Sequence, residues 1–330
     1  MSAVQGASLL AVVDAGGAPA ARLLTRLEQR LATLATGHGA LLARFAGETI
    51  SSGGKRLRPL LLFLAAGTPP PETDAVVRAA VAVELVHSAT LVHDDVLDGS
   101  PLRRGRPTVV AAGGRLPATA TGDLLFSRAF AELAGTGSAE AVRVLTRASS
   151  ELAAGELMQR ADAFQAVAAE RYLERCRLKT AVLFRAACEL GAACGDGAGD
   201  GGGHRADLGA FGEQIGLAFQ LLDDVLDVSG PPERTGKPQG ADLLDGTVNL
   251  PLIIARERDP ELAALDPRAV ATPESAADVC ARIMATGALD EARGRALEMV
   301  SGAKAQLPGL PAPQRAALEL VADAVVERYL

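Results

Sequence analysis

Two apolar stretches of this 330-residue chain end in almost the same eight residues. Leu91–Asp98 reads LVHDDVLD and Gln220–Asp227 reads QLLDDVLD. The repeat constrains the fold because its spacing matches the turn of a helix. Asp94 and Asp98 are four residues apart, as are Asp223 and Asp227, and such pairs share one helical face. Asp95 and Asp224 sit about 100° further round. Each cluster then projects two carboxylates from one face, with a third beside them. Like charges at this spacing destabilise a helix by roughly a few tenths of a kcal/mol. Both clusters also close apolar helices, at the end where the dipole disfavours negative charge, and Asp is a poor helix former. An arrangement that works twice against its own helix implies a compensating cation.

Carboxylates without His or Cys are hard oxygen donors. They suit Mg2+, which keeps several waters and shares its sphere with substrate phosphates. Two such clusters facing each other would hold several Mg2+ ions around one diphosphate and neutralise a departing pyrophosphate. A single DDxxD is more often a solvated helix end, but a second match after a second apolar helix makes coincidence a poor explanation.

The rest of the chain agrees with helices. Hydrophobic residues make up 48% of it and aromatics only 3%, a composition that favours helix over sheet. Residues 1–20 read as a loose Gly/Ala-rich tail. Helical patterns cover 20–46, 60–66, 74–98, 108–112, 118–134, 138–163, 169–194 and 205–229, and continue from 247 to the C-terminus. Loops are expected at Ser51–Pro59, Gly99–Pro107 and 230–246, and no segment reads as a strand. The Gly195–Gly203 run lacks the Lys-Ser/Thr ending of a phosphate-binding loop and reads as a connector. No linker divides the chain, so one all-α domain over 21–330 follows. A net charge of −7 without a basic stripe argues against nucleic acid as a partner. Cys176, Cys188, Cys194 and Cys280 form no CxxC pair and read as reduced thiols. No apolar run reaches the ~18 residues expected of a membrane span and no signal peptide is evident, so a cytoplasmic protein is expected, with contact at a membrane surface left open.

Diphosphate chemistry also needs basic groups. Gly53–Pro59 reads GGKRLRP and places Lys55 and Arg58 at a loop-to-helix junction, where backbone N–H groups also meet phosphate. Arg103 and Arg104 follow the first cluster, and arginine's planar fork suits phosphate oxygens. Lys179 lies within an apolar helix beside Thr180, Lys237 lies in a Gly/Pro loop, and His87 stands seven residues before Asp94 on the same helical face.

With these residues in view, the chain closely resembles the trans-polyprenyl diphosphate synthases, a family that includes farnesyl, geranylgeranyl, heptaprenyl and octaprenyl diphosphate synthases. The resemblance covers roughly residues 20–330. It implies the isoprenoid synthase fold, a single-domain bundle of long helices around a central cavity, normally a homodimer. It also implies head-to-tail addition of isopentenyl diphosphate to an allylic diphosphate with release of pyrophosphate. By motif position, Asp94, Asp95 and Asp98 match the first aspartate-rich motif and Asp223, Asp224 and Asp227 the second, which together bind three Mg2+. Arg103, Lys179 and Lys237 match contacts to the allylic diphosphate, and Lys55, Arg58, His87 and Arg104 match the isopentenyl-diphosphate site. Thr180 and Gln220 match polar groups near the allylic carbon that becomes cationic, and Asp242 matches the acidic residue after the lysine loop. One departure stands out: relatives commonly carry GKxTLP where Gly246–Pro251 reads GTVNLP, so Thr247 replaces a peripheral lysine.

The first cluster also carries a ruler. Thr90 and Ala89 lie about one turn before Asp94, on the same face, and Val86 and Leu85 a turn further, with each turn ~5.4 Å long. Short-chain members usually place an aromatic at one of the two nearest positions. None is present, so a product of C30–C50 is expected over the C20 or C15 alternatives. Phe126, Phe130 and Phe164 remain candidates for a floor supplied by another helix. Two other readings compete. A class I terpene cyclase would carry an NDxxSxxxE-type second motif and an aromatic cavity. A non-catalytic subunit of a heteromeric synthase would lack a cluster or its basic partners.

Overall fold

The computed structural model describes residues 11–36, 39–51, 54, 56–103, 105–195, 204–231 and 238–327. Lys55, Arg104 and Lys237 lie outside the described residues. In chain order the helices are α1 (Gly17–Leu34), α2 (Ala40–Ser51), α3 (Leu57–Ala66), α4 (Asp74–Asp98), α5 (Val109–Gly113), α6 (Arg115–Ala134), α7 (Ala139–Asp162) and α8 (Ala169–Cys176). After a π-helical turn at Arg177–Ala181 come α9 (Val182–Cys194), α10 (Arg205–Ser229), α11 (Ala241–Leu244), α12 (Leu250–Arg258), α13 (Pro260–Ala264), α14 (Pro273–Ala285), α15 (Ala288–Ala305) and α16 (Ala312–Glu327). The all-α expectation holds, with one addition to the Gly99–Pro107 loop. A two-residue antiparallel pair, β1 (Leu102–Arg103) and β2 (Arg106–Pro107), forms there around Gly105.

Two other expectations are corrected. The helix read over 20–46 is two helices, broken before Ala40 where Gly39 takes φ 78°, a conformation that costs glycine little. The tail read over 1–20 is already helical from Ala11, with Val12 and Ala20 buried, while residues 1–10 lie outside the described residues.

The chain divides into two compact units. The first comprises Met1–Ser149, Leu183–Gly212 and Leu307–Ala324. Its central element is α4. The Thr73 side chain caps its N-terminus by accepting from Val76 N, and Gly99 ends it in the left-handed region at φ 64°, the usual stop for a helix. One 18-residue window of α4 has mean hydropathy 1.6, yet 72% of that window is buried inside the protein. It packs chiefly on α6 and α3, so its apolar character belongs to a core helix. Gly122 permits the close approach of α6, since a Cβ there would fall 2.2 Å from His93 Nε2. The apolar α3 is buried from Pro59 to Ala66.

The second unit comprises Ser150–Val182, Glu213–Gln306 and Val325–Leu330. Here α12, α13 and α14 start from side-chain caps: Asn249 accepts from Leu252 N, Asp259 from Glu261 N and Leu262 N, and Thr272 forms a capping box with Ser275. The π-helical turn passes close to α7 at Gly155, where a Cβ would lie 2.7 Å from Lys179 N. All four cysteines are free thiols. Burial pushes them up, Cys194 to about 11 and Cys280 to about 12, so they remain protonated at neutral pH.

Candidate functional site

The first aspartate cluster occupies the last turn of α4 in the first unit. Asp95 is 4% exposed, Asp94 half-buried and Asp98 exposed. The buried member is clamped: Arg103 donates Nε to Asp95 Oδ1 at 2.8 Å, and Nη2 lies 2.8 Å from the same oxygen. The β1–β2 hairpin that carries Arg103 therefore folds back onto the cluster. Helix geometry places His87 about 20° from Asp94 and Ala89 about 140° away. His87, Thr90 and Asp94 accordingly form a half-exposed line, whereas Ala89, Val86 and Leu85 are fully buried. Ala89 and Thr90 thus belong to different faces of α4, which corrects their reading as one face. Thr90 Oγ1 donates to the His87 carbonyl at 2.8 Å.

Arg58 sits in the first turn of α3, its guanidinium carbon 4.5 Å from the Phe184 ring centroid. The arginine between it and Lys55 has a different duty. Arg56 takes φ 48° and pairs with Glu84 (Nη1–Oε1 2.5 Å) and Glu28 (Nε–Oε1 2.6 Å). It ties the start of α3 to α4 and α1.

The second cluster lies in the second unit, on the last turns of α10, and repeats the same pattern. Asp224 is 3% exposed, while Asp223 and Asp227 are half-buried. Asp224 Oδ2 accepts from Tyr172 Oη at 2.6 Å and Oδ1 from Gln220 Nε2 at 2.8 Å. Gln220 Oε1 in turn accepts from Thr180 Oγ1 at 2.7 Å. Burial, followed by the nearby Asp242 and Asp223 carboxylates, pushes the Asp224 carboxyl well above the usual carboxylate range, against the two hydrogen bonds it accepts. Asp242 stands at the start of α11, where its backbone N–H donates to Asp227 Oδ2 at 3.3 Å. Lys179 shares the π-helical turn with Thr180, and its Nζ is 2.5 Å from Glu156 Oε2 on α7. A π turn inserts one residue into a helix and recurs at functional sites; here it presents Lys179 and Thr180 in succession.

The structure therefore joins Arg103 to Asp95 in the first unit. In the second it joins Thr180, Gln220 and Asp224, with Asp227 and Asp242 beside them. Tyr172, Glu156 and Arg56 were missed by sequence reasoning. Tyr172 left one faint signal, as one of only two tyrosines in the chain. Among the described residues no three His, Cys, Asp or Glu side chains converge into a closed metal cage. An open, all-carboxylate donor set fits a divalent ion that completes its sphere with water and phosphate.

Comparison with known proteins places the chain in context. The family model for polyprenyl synthetase matches residues 40–286. A heptaprenyl diphosphate synthase component 2 from Geobacillus stearothermophilus is 37% identical over 87% of this chain and 90% of that protein. A geranylgeranyl diphosphate synthase from Methanosarcina mazei is 36% identical over 84% of this chain and 87% of that protein. Among solved structures, a polyprenyl synthase from Caulobacter crescentus, complexed with calcium and isoprenyl diphosphate, superposes with TM-score 0.87 at 36% identity. That match covers 98% of each chain.

Proposed function

We propose, because the chain belongs to the polyprenyl synthetase family, that it condenses isopentenyl diphosphate head to tail with an allylic diphosphate. The products are a linear all-trans polyprenyl diphosphate and pyrophosphate. The observation that carries this reading is the shared design of the two DDxxD clusters. In each, the middle aspartate is buried and held by internal donors, and the outer two are more exposed. Asp94, Asp98, Asp223 and Asp227 would hold Mg2+, three ions per site, with Asp95 and Asp224 setting their geometry. When bound, the metal neutralises charge on the diphosphate leaving group.

The chain's own residues supply the rest. Arg103, Lys179 and Lys237 hold the allylic diphosphate; Lys55, Arg58, His87 and Arg104 hold isopentenyl diphosphate. The allylic C–O bond breaks heterolytically and leaves a delocalised cation. Thr180 commits its proton to Gln220, so its oxygen turns lone pairs outward, where they steady that charge. The alkene of isopentenyl diphosphate forms the new C–C bond, and the resulting cation loses a proton to the released pyrophosphate.

Ala89 and Thr90 favour a product of C30–C50, because neither is a bulky stop near the first cluster. The protein acts as a cytoplasmic homodimer in this reading. Purified protein with Mg2+, farnesyl diphosphate and labelled isopentenyl diphosphate tests it, with chain length read by chromatography after dephosphorylation. Elongation to C30–C50 is expected. A terminal C15 or C20 product would refute the long-chain assignment, and hydrocarbon released from the allylic diphosphate alone would identify a cyclase. The name "component 2" on the Geobacillus relative favours a second reading, in which a partner chain is required. Full activity of the purified chain alone excludes it.

A further inference from the structure

We propose that Tyr172 is a positioning residue for the second aspartate cluster. Its hydroxyl fixes the Asp224 carboxylate and thereby the turn of α10 that presents Asp223 and Asp227. The inference rests on the reading of that cluster as a metal site. Asp224 has two donors, and they are not equivalent. Gln220 lies one turn back on α10 itself, so its bond to Asp224 at 2.8 Å cannot orient α10 against another element. Tyr172 comes from α8 and reaches Asp224 Oδ2 at 2.6 Å, which makes it the hydrogen bond to this carboxylate that spans two helices.

The tyrosine is itself held. It is 1% exposed, so its hydroxyl is sequestered from solvent. The Arg175 guanidinium carbon lies 5.5 Å from its ring centroid. Arg175 is 3% exposed and donates Nη2 to the Val248 carbonyl at 2.5 Å, just before the start of α12. The phenol is thus fixed at its ring by an anchored cation and at its hydroxyl by the carboxylate. The first cluster secures its buried Asp95 with a charged clamp, Arg103. Tyr172 secures Asp224 with a neutral donor, which adds no positive charge beside the second cluster. Partners that orient ligand groups in this way typically alter metal affinity or activity by about 10- to 100-fold when removed.

Tyr172→Phe deletes the hydroxyl and keeps the ring against Arg175. Mg2+-dependent binding of pyrophosphate to the full-length protein, measured by titration calorimetry, should weaken by about 10- to 100-fold. The Mg2+ concentration for half-maximal turnover should rise in parallel, with far-UV circular dichroism unchanged. Unaltered binding overturns the proposal, as does a lowered melting temperature at unaltered affinity, which would make the bond merely structural. Should Tyr172→Phe fail to fold, Arg175→Met frees the ring while sparing the hydroxyl. It must then weaken binding in the same direction, and unchanged affinity overturns the proposal. Absence of Mg2+-dependent pyrophosphate binding in the wild type would overturn the metal-site reading along with this one; binding in the wild type that Tyr172→Phe leaves intact would overturn this one alone.

Discussion

Replacing Arg56 by methionine should destabilise the protein by about 3–5 kcal/mol and leave the kinetics of the folded enzyme near wild type. The magnitude follows from its partners. The Arg56 side chain is 11% exposed and its main counterion, Glu84 on α4, is 7% exposed. Removing the guanidinium leaves a buried carboxylate without its cation, the costly way to break such a pair. Glu28, at 51% exposure, adds only about 0–1 kcal/mol. The Ile50 carbonyl, which accepts Nη2 at 3.1 Å, loses one hydrogen bond worth about 1 kcal/mol. Methionine inherits the same φ of 48°, so backbone strain is common to both proteins. Urea unfolding followed by circular dichroism measures the loss. Glu28→Gln alone should cost less than about 1 kcal/mol. The double variant Arg56→Met/Glu84→Leu should recover most of the stability, because apolar replacements of both partners are often neutral. A loss below about 1 kcal/mol in the single variant, or no recovery in the double, refutes the ion-pair account. A raised KM for isopentenyl diphosphate at full stability would instead make Arg56 a substrate ligand.

Asp94→Ala and Asp223→Ala should each lower turnover by roughly 100-fold or more, while far-UV circular dichroism shows the helices intact. Chelation with EDTA should abolish turnover and added Mg2+ restore it; activity that survives chelation would remove the metal from the reaction. Gly155→Val places a Cβ within 2.7 Å of Lys179 N, so overpacking should cost about 1–3 kcal/mol and raise KM for the allylic diphosphate, read by thermal melting and steady-state kinetics. Thr90→Phe, on the half-exposed line with Asp94, should shorten the product, and chromatography showing an unchanged chain length would free this position of a ruler role.

The helical reading succeeded where local signals were strong. Residues 74–98 and 205–229 were legible as helices because long apolar stretches have clear ends, Thr73 and Gly99 marking the first of them. The break before Ala40 was overlooked although Gly37 and Gly39 announced it, because the leucine stripe of α1 was extended across them. The aspartates were legible because a repeated motif carries its own spacing. Their internal order was not. That Asp95 and Asp224 are the buried members depends on Arg103 folding back through a two-residue hairpin and on Tyr172 arriving from α8. The same limit hid the π turn, since Arg177–Ala181 has ordinary helical composition and only its surroundings favour the wider turn. In GGKRLRP three basic residues looked alike on paper, yet Arg56 is engaged by two glutamates and Arg58 by an aromatic ring.

The π turn has a consequence for how this helix tolerates length change. A π turn is an α-helix with one residue too many, absorbed locally so that both flanks keep their facing. Tyr172 upstream and Phe184 downstream are both buried. Deleting one residue from 177–181 would close the bulge into an uninterrupted helix, restoring regular hydrogen bonds while rotating Lys179 and Thr180 off their partners. Such a shortened chain would be a well-folded protein with a blank face where its chemistry had been, and insertion of a single residue into that helix would be enough to write the face back.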